Sequence, residues 1–350
     1  MLVLAGCSAD PPPEGNTPGE RSGNVAQEAP SVSDEEIPEE EPVAQVAAQL
    51  QPSVVQVNVQ GVQSSAFGQE AVEGQGSGVI YRQDGFIITN NHVVQSADEV
   101  EVGFADGTTE QGEVVGGDPF TDLAVIQVDR DDLPPAAFAE GRQINVGQLA
   151  VAIGSPSGFE STVTEGVISG LNREVPAQFT GGTQEAALVD LVQTDAPISP
   201  GSSGGALANR DGEVVGINVA YLPPSETGAE SIGFAIPATT AVSTADQIIA
   251  TGEASNPYLG VSLTELTPEA AERFGAETGA LVEDVESGEP AAQAGLRTGD
   301  IITSVDDTEV ESTADLLSIL RGYAPGDTVE VTAQRGGNEQ TFQLTLGERT

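Results

Sequence analysis

Asp195-Ala196-Pro197-Ile198-Ser199-Pro200-Gly201-Ser202-Ser203-Gly204-Gly205-Ala206-Leu207 is the stretch from which the rest of the chain can be read. A nucleophilic serine has to stand exposed on a tight turn, beside backbone N–H groups that can hold a developing oxyanion. Glycines on both sides of Ser203 give the backbone that freedom. By itself the Gly-Ser-Ser-Gly-Gly run fits a flexible loop equally well, so the reading depends on what the chain carries elsewhere.

Two companions lie upstream. The chain's one histidine sits in Ile88-Thr89-Asn90-Asn91-His92-Val93-Val94, at the end of an apolar strand. A serine nucleophile needs a base that titrates near neutrality, and no other imidazole is on offer. An aspartate opens a second apolar strand in Phe120-Thr121-Asp122-Leu123-Ala124-Val125-Ile126; alone it reads as a turn residue. The order His, Asp, Ser is the chymotrypsin order, not that of subtilisins or α/β-hydrolases. An esterase of Gly-x-Ser-x-Gly type is disfavoured, because Ser203 lies between strands and not on a strand-to-helix turn.

From Gln45 to about Ala250 the pattern is one of short strands between Gly- and Pro-rich turns. Examples are Val54–Val59, Gly78–Tyr81, Phe86–Thr89, Val100–Phe104, Leu123–Val128, Leu149–Ile153, Val163–Ser169, Leu188–Thr194, Val214–Ala220 and Ile232–Ile236. This predicts antiparallel barrels or a sandwich. A helix over Ala238–Ala250 closes the region, with Gly252 just beyond it. Asn256-Pro257 reads as a boundary. The remaining residues show a mixed α+β pattern, with strands at Leu259–Leu263, Ala280–Val285, Ile301–Val305, Val329–Gln334 and Gln340–Leu346. Ser312 is placed to cap a helix over Ala314–Leu320.

The first region resembles the HtrA/DegP family of trypsin-fold serine proteases. The matching pieces are Gly76-Ser77-Gly78-Val79-Ile80, Thr89 to Val93, Thr121 to Val125, Gln193 to Ala196, Gly201 to Leu207 and Ile232 to Pro237, in the family's order. The resemblance implies a mainly β fold: two six-stranded antiparallel β-barrels of the trypsin type, followed by a small α+β PDZ domain. It makes Ser203 the nucleophile, His92 the base and Asp122 the group that orients the imidazole, with the Gly201 and Ser203 amides as the oxyanion hole. One departure is Ser202, where the family usually has Asn; that position acts through its backbone. The floor of the primary specificity pocket would be Pro197, with Ile198 and Leu222 at pocket positions, which implies a small or medium apolar side chain in the substrate.

In the second region Tyr258-Leu259-Gly260-Val261 resembles a PDZ carboxylate-binding loop, and Pro290 to Ile302 is similar to the PDZ segment that follows the protease in this family. A peptide would add a strand beside Val261–Leu263 and offer its terminal carboxylate to the loop. The expected activity is ATP-independent endoproteolysis of unfolded or damaged proteins. The competing reading is a chaperone or scaffold that binds peptides on the same fold and cleaves weakly or not at all. No metal or organic cofactor is implied. The family builds on trimers, and the short loop Ala66 to Gln75 is linked to plain trimers.

Composition bounds the rest. The chain has 350 residues, enough for two domains and a tail. With one Cys and one His, zinc fingers, Cys-x-x-Cys centres and disulfide frameworks are excluded. Acidic residues number 55 against 11 basic ones, all Arg, for a net charge of -44. That field repels nucleic acid and anionic lipid, and it fits a chain that folds in very high salt, where self-repulsion is screened. Leu4-Ala5-Gly6-Cys7 has the form of a lipobox, the truncated end of a lipoprotein signal over residues 1–7, so the true start would lie further upstream. Cys7 would then carry lipid and hold the protein on the outer face of the cell membrane, its sole membrane contact. Residues 8–44 read as an acidic, Pro-rich tether, 45–252 as the protease and 256–350 as the PDZ domain.

Overall fold

Leu123-Ala124-Val125-Ile126 and Leu149 to Ile153 are apolar without alternation, the signature of strands covered on both faces. Such strands need two cores, and the computed structural model supplies them. It describes residues 41–65, 68–155, 161–176, 187–222, 232–264, 266–267, 270–271 and 278–349. Cys7 and nearly all of the expected tether lie outside the described residues.

Strands β1 (Val54–Ser65), β2 (Gly68–Ile80), β3 (Phe86–Asn90), β4 (Glu99–Gly103), β5 (Thr109–Asp118) and β6 (Leu123–Val128) close into an antiparallel barrel in the order β1-β2-β3-β6-β5-β4. Strands β7 (Leu149–Gly154), β8 (Thr162–Val175), β9 (Leu188–Thr194), β10 (Ala206–Ala208), β11 (Val214–Leu222) and β12 (Ile232–Pro237) close a second, in the order β10-β11-β12-β9-β8-β7. Alternate residues of one strand go to different cores, as the pleat requires. Ala124 and Ile126 fill the lumen of the first barrel, while Leu123 and Val125 face the seam between barrels. Ala150 and Ala152 likewise face the second lumen, and Val151 and Ile153 the seam. Each Leu, Val or Ile side chain among these, taken fully from water, stabilises by roughly 1.5–3 kcal/mol, and each Ala by less.

Two helices cover the seam. Helix α1 (Pro42–Leu50) starts with Pro at its first position and buries Val46 and Leu50 there. It begins ahead of the protease boundary expected at residue 45, because the acidic run before it hides the apolar spacing of Val43, Val46 and Leu50. Short helix α2 (Asn91–Val94) follows β3 directly. Helix α3 (Ala238–Thr251) buries Ala238, Ala241, Val242, Ala245 and Ile248 and ends at Gly252, whose φ of 86° lets its N–H reach the Ile248 carbonyl.

Strand β5 was not expected. Its residues are mostly exposed and polar, from Thr109-Glu110-Gln111 to Glu113, so they carry no apolar period. Backbone pairing with β4 and β6 closes the barrel there, and Val115, partly buried, packs on the seam core.

Beyond α3, β13 (Asn256–Tyr258) pairs with the last strand of the chain. The remaining elements are β14 (Val261–Thr264), β15 (Ala280–Val285), α4 (Pro290–Ala294), β16 (Ile301–Val305), β17 (Thr308–Glu309), α5 (Thr313–Leu320), β18 (Thr328–Arg335), β19 (Asn338–Thr345) and β20 (Gly347–Arg349). The sheet runs β14-β15-β16-β18-β19, with β17 on β16. The single strand expected over Leu259–Leu263 is corrected: Gly260 has φ 81°, so the chain turns there and the strand starts at Val261. Ser312 caps α5 as expected, accepting from the Asp315 amide. Inside this domain Asp300, almost fully buried, holds Arg335 through both carboxylate oxygens, each at 2.6 Å. Helix α5 rests on β8 and β9 of the second barrel, where Arg321 donates to the Val189 carbonyl at 3.2 Å. Burial at this contact pushes the Asp190 carboxyl up and the Arg321 guanidinium down.

Candidate active site

Strands β3 and β6 pair so that Asn90 stands opposite Leu123. His92 follows Asn90 by two residues and Asp122 precedes Leu123, so the ladder itself sets the two side by side. Asp122 is fully buried, with φ 58°, a left-handed conformation that costs roughly 1–3 kcal/mol in a non-glycine residue. Its neighbours hold it there. The Asn91 amide and the Asn90 Nδ2 both donate to its carbonyl, at 3.0 and 2.9 Å. The His92 amide donates to Oδ1 at 2.9 Å, and His92 Nδ1 lies 2.6 Å from Oδ2. A buried carboxylate on Nδ1 keeps the ring proton on that nitrogen and leaves Nε2 as the acceptor.

Ser203 sits on the turn between β9 and β10. The Ser202 N–H donates to Ser199 O at 2.9 Å and the Gly205 N–H to Ser202 O at 3.0 Å; the Gly204 N–H reaches Asn218 O at 2.8 Å. Gly201 and Gly204 have φ 92° and 84°. A β-carbon at 204 would run into Ser77 O and Thr89 Oγ1, so that glycine is needed for space as well as for its backbone. Among the described residues the amides of Gly201 and Ser203 donate to nothing, which is what an oxyanion hole requires of them.

The two halves meet at Gly76 of β2. A β-carbon there would lie 2.8 Å from the Val93 methyls, next to His92, and 3.2 Å from Ser203 O. Ser203 Oγ lies 3.5 Å from Val219 O, and no hydrogen bond among the described residues joins it to the imidazole. Seryl–imidazole contacts are often long before substrate arrives.

The other expected site residues fall in three groups. Ile198 is buried in the second lumen against Gly233, where a β-carbon would come within 2.7 Å of its Cδ1. Of Leu222 the structure describes only the backbone, paired with Ile232. In the second domain the Leu259 and Gly260 carbonyls accept from Ala291 N–H and Glu286 N–H, at 2.8 and 3.0 Å. The Leu259 and Gly260 amides donate to nothing among the described residues. Leu259 borders a cavity of about 370 Å³ that is also lined by Val261, Leu263, Leu317 and Leu320, and by Phe120 and Val189 of the barrels. Sequence reasoning gave no role to Ser77, Asn90 or Asn91. Their sole signal was small polar residues packed beside the one His and inside the Gly-Ser-Gly run.

Residues 76–217 match the trypsin-like peptidase domain family and residues 257–346 the PDZ domain family. Serine protease Do-like HtrB of Bacillus subtilis is 37% identical over 331 residues, which cover 88% of this chain and 71% of that protein. The chain belongs to the HtrA/DegP family of serine proteases. Serine protease PepD of Mycobacterium tuberculosis is 38% identical over 341 residues, covering 93% of this chain and 70% of the relative. A probable periplasmic DegP-like serine endoprotease of Halomonas elongata is 40% identical over 275 residues, and there the chain spans 56% of the relative's length. Among solved structures, the HtrA-type protease AlgW with a decapeptide superposes with TM-score 0.70 at 33% identity over 88% of this chain and 99% of that one.

Proposed function

We propose that this HtrA/DegP-family member is an ATP-independent serine endopeptidase that acts on unfolded polypeptides outside the cytoplasmic membrane. The observation that carries the reading is the pairing of one imidazole with a fully buried carboxylate, opposite a glycine turn whose two amides are unengaged. Ser203 Oγ turns from Val219 O to His92 Nε2, gives up its proton and attacks the scissile carbonyl. The Gly201 and Ser203 amides hold the oxyanion, each worth about 3–4 kcal/mol in such sites. His92 then returns the proton to the leaving amine, and water repeats the cycle on the acyl-enzyme.

Peptide carboxyl ends bind the Tyr258–Val261 loop and lie along β14, with Ile198 and Leu222 selecting a small or medium apolar residue at the cleavage site. The periplasmic names of relatives support an extracytoplasmic location. A lipid on Cys7 would fix it to the membrane, and the functional unit would be a homotrimer.

Casein cleavage by the wild type, abolished in Ser203→Ala, tests the enzyme reading. The contact of Ser203 Oγ with Val219 O favours the alternative, a peptide-binding scaffold, and equal cleavage by both proteins at background level is the result that would establish it. The net charge of -44 supports function at high salt. The melting temperature should climb from low to molar salt, and a flat profile removes that part of the proposal.

A further inference from the structure

Ser77 belongs to β2 of the first barrel, yet its polar atoms serve the nucleophile turn of the second. It is fully buried. Its N–H donates to Ser203 O at 2.7 Å and its Oγ donates to Gly201 O at 2.7 Å. The same Oγ accepts from the Ser155 N–H at 2.8 Å, and Thr89 Oγ1 donates to its carbonyl at 2.7 Å. Because Ser155 supplies a donor to the hydroxyl oxygen, the hydroxyl proton is left to point at Gly201 O.

The effect is clearest in the peptide planes of the turn. The 201–202 plane is tied at its carbonyl by Ser77 Oγ and at its N–H by Ser199 O. The 203–204 plane is tied at its carbonyl by Ser77 N–H and at its N–H by Asn218 O. Between them, the 202–203 plane carries the Ser203 amide and is tied at its carbonyl by Gly205 N–H. The two oxyanion donors, Gly201 N–H and Ser203 N–H, lie on either side of the plane that the Ser77 hydroxyl fixes. We infer that Ser77 is a positioning residue: it sets the spacing and direction of the two oxyanion donors from across the barrel seam. It does so without touching substrate.

This inference rests on the serine-protease reading. The test compares wild type, Ser77→Ala, Ser77→Cys and Ser203→Ala on a short peptide substrate. It also measures binding of a peptidyl boronate, which forms a tetrahedral adduct on the serine and places an oxygen in the oxyanion hole. Ser77→Ala keeps the N–H bond to Ser203 O and deletes only the hydroxyl. Its kcat should fall about 10- to 100-fold with KM within about twofold, less than the 10²–10³ typical of losing a donor outright. Boronate affinity should fall by the same factor. Ser77→Cys, a weaker donor of similar shape, should lie between, and it serves as the test if the alanine variant fails to fold by its melting curve. Unchanged kcat in a folded variant overturns the inference. So does a rise in KM at constant kcat, or boronate affinity that holds while kcat drops. Failure of wild type to cleave, or cleavage by Ser203→Ala, strikes instead at the protease reading beneath it.

Discussion

At the Gly201–Gly205 turn, and again at the Leu259–Gly260 loop, carbonyls are tied down from behind while neighbouring amides donate to nothing among the described residues. On the function proposed above, both arrangements would present backbone N–H groups to a negative oxygen. They differ in where the ties come from. In the PDZ loop they are amides of Glu286 and Ala291, from the same small domain. At the nucleophile turn one set comes from Ser77, across the seam, and the base and its carboxylate also belong to the other barrel. The ties of the proposed carboxylate loop are thus local, although the cavity beside it is also lined by Phe120 and Val189 of the barrels. A site for a charge that exists only during reaction is divided, so it is complete only when both barrels are docked. Damage at the two places should therefore separate cleanly.

The largest separation is expected from Asp122→Asn. The side chain keeps its size, but the tautomer on His92 is no longer enforced, and turnover should fall about 10⁴-fold. His92→Ala should do as much. Binding of a fluorescent carboxyl-terminal peptide should stay within about twofold of wild type for both. Retention of more than a tenth of wild-type cleavage by His92→Ala would refute the triad. Gly260→Ala is the mirror experiment. The position has φ 81° and its β-carbon would run into Glu289 Cβ. Peptide affinity should drop at least about tenfold, while cleavage of a short peptide is unchanged. Loss of both activities would show that the loop is needed to assemble the protease.

The smallest effect concerns alkaline stability. Tyr81 is pushed up to about 12, first by burial and then by its hydrogen bond to Asp246 on α3. Tyr258, the first residue of the proposed peptide-binding loop, is pushed up to about 12 by burial and then by Glu286. An unfolded tyrosine ionises near 10. Between about pH 10 and 12 the folded chain therefore holds protons that the unfolded chain has lost, so stability present below pH 10 is lost as pH rises. Melting temperatures from pH 9 to 12 should decline, less steeply in Tyr81→Phe and Tyr258→Phe. Equal slopes in all three proteins would show that these hydroxyls contribute nothing.

Much of the plan was legible in the chain because its strands carry their own signal. Leu188–Thr194 and Ala280–Val285 were expected at the bounds observed, since both are rich in branched side chains, the first stopped by Asp195 and the second flanked by Gly279 and Glu286. Strand β5 was not legible because its glycines and exposed polar residues leave Val114 and Val115 without an apolar period. Helix α1 was masked by the charges that precede it. In the site, His92, Asp122 and Ser203 stood out because the chemistry needs those residue types. Ser77 did not, because its role depends on two carbonyls some 125 residues away that only folding brings to it. Asn90 and Asn91 were hidden in the same way, since they act on the backbone of Asp122.

The left-handed backbone at Asp122 also limits where this lineage can go. Such a conformation costs Gly least, Asn and Asp less than most other residues, and β-branched residues most. Of these three only Asp carries charge, so a longer acid would be recruited here only at the cost of that strain. Asn and Gly are each a single-base change from Asp in the genetic code. A folded descendant that binds peptides and no longer cuts them is thus one mutation away, whereas other residues would add the strain of the turn, roughly 1–2 kcal/mol, to the loss of Asp122.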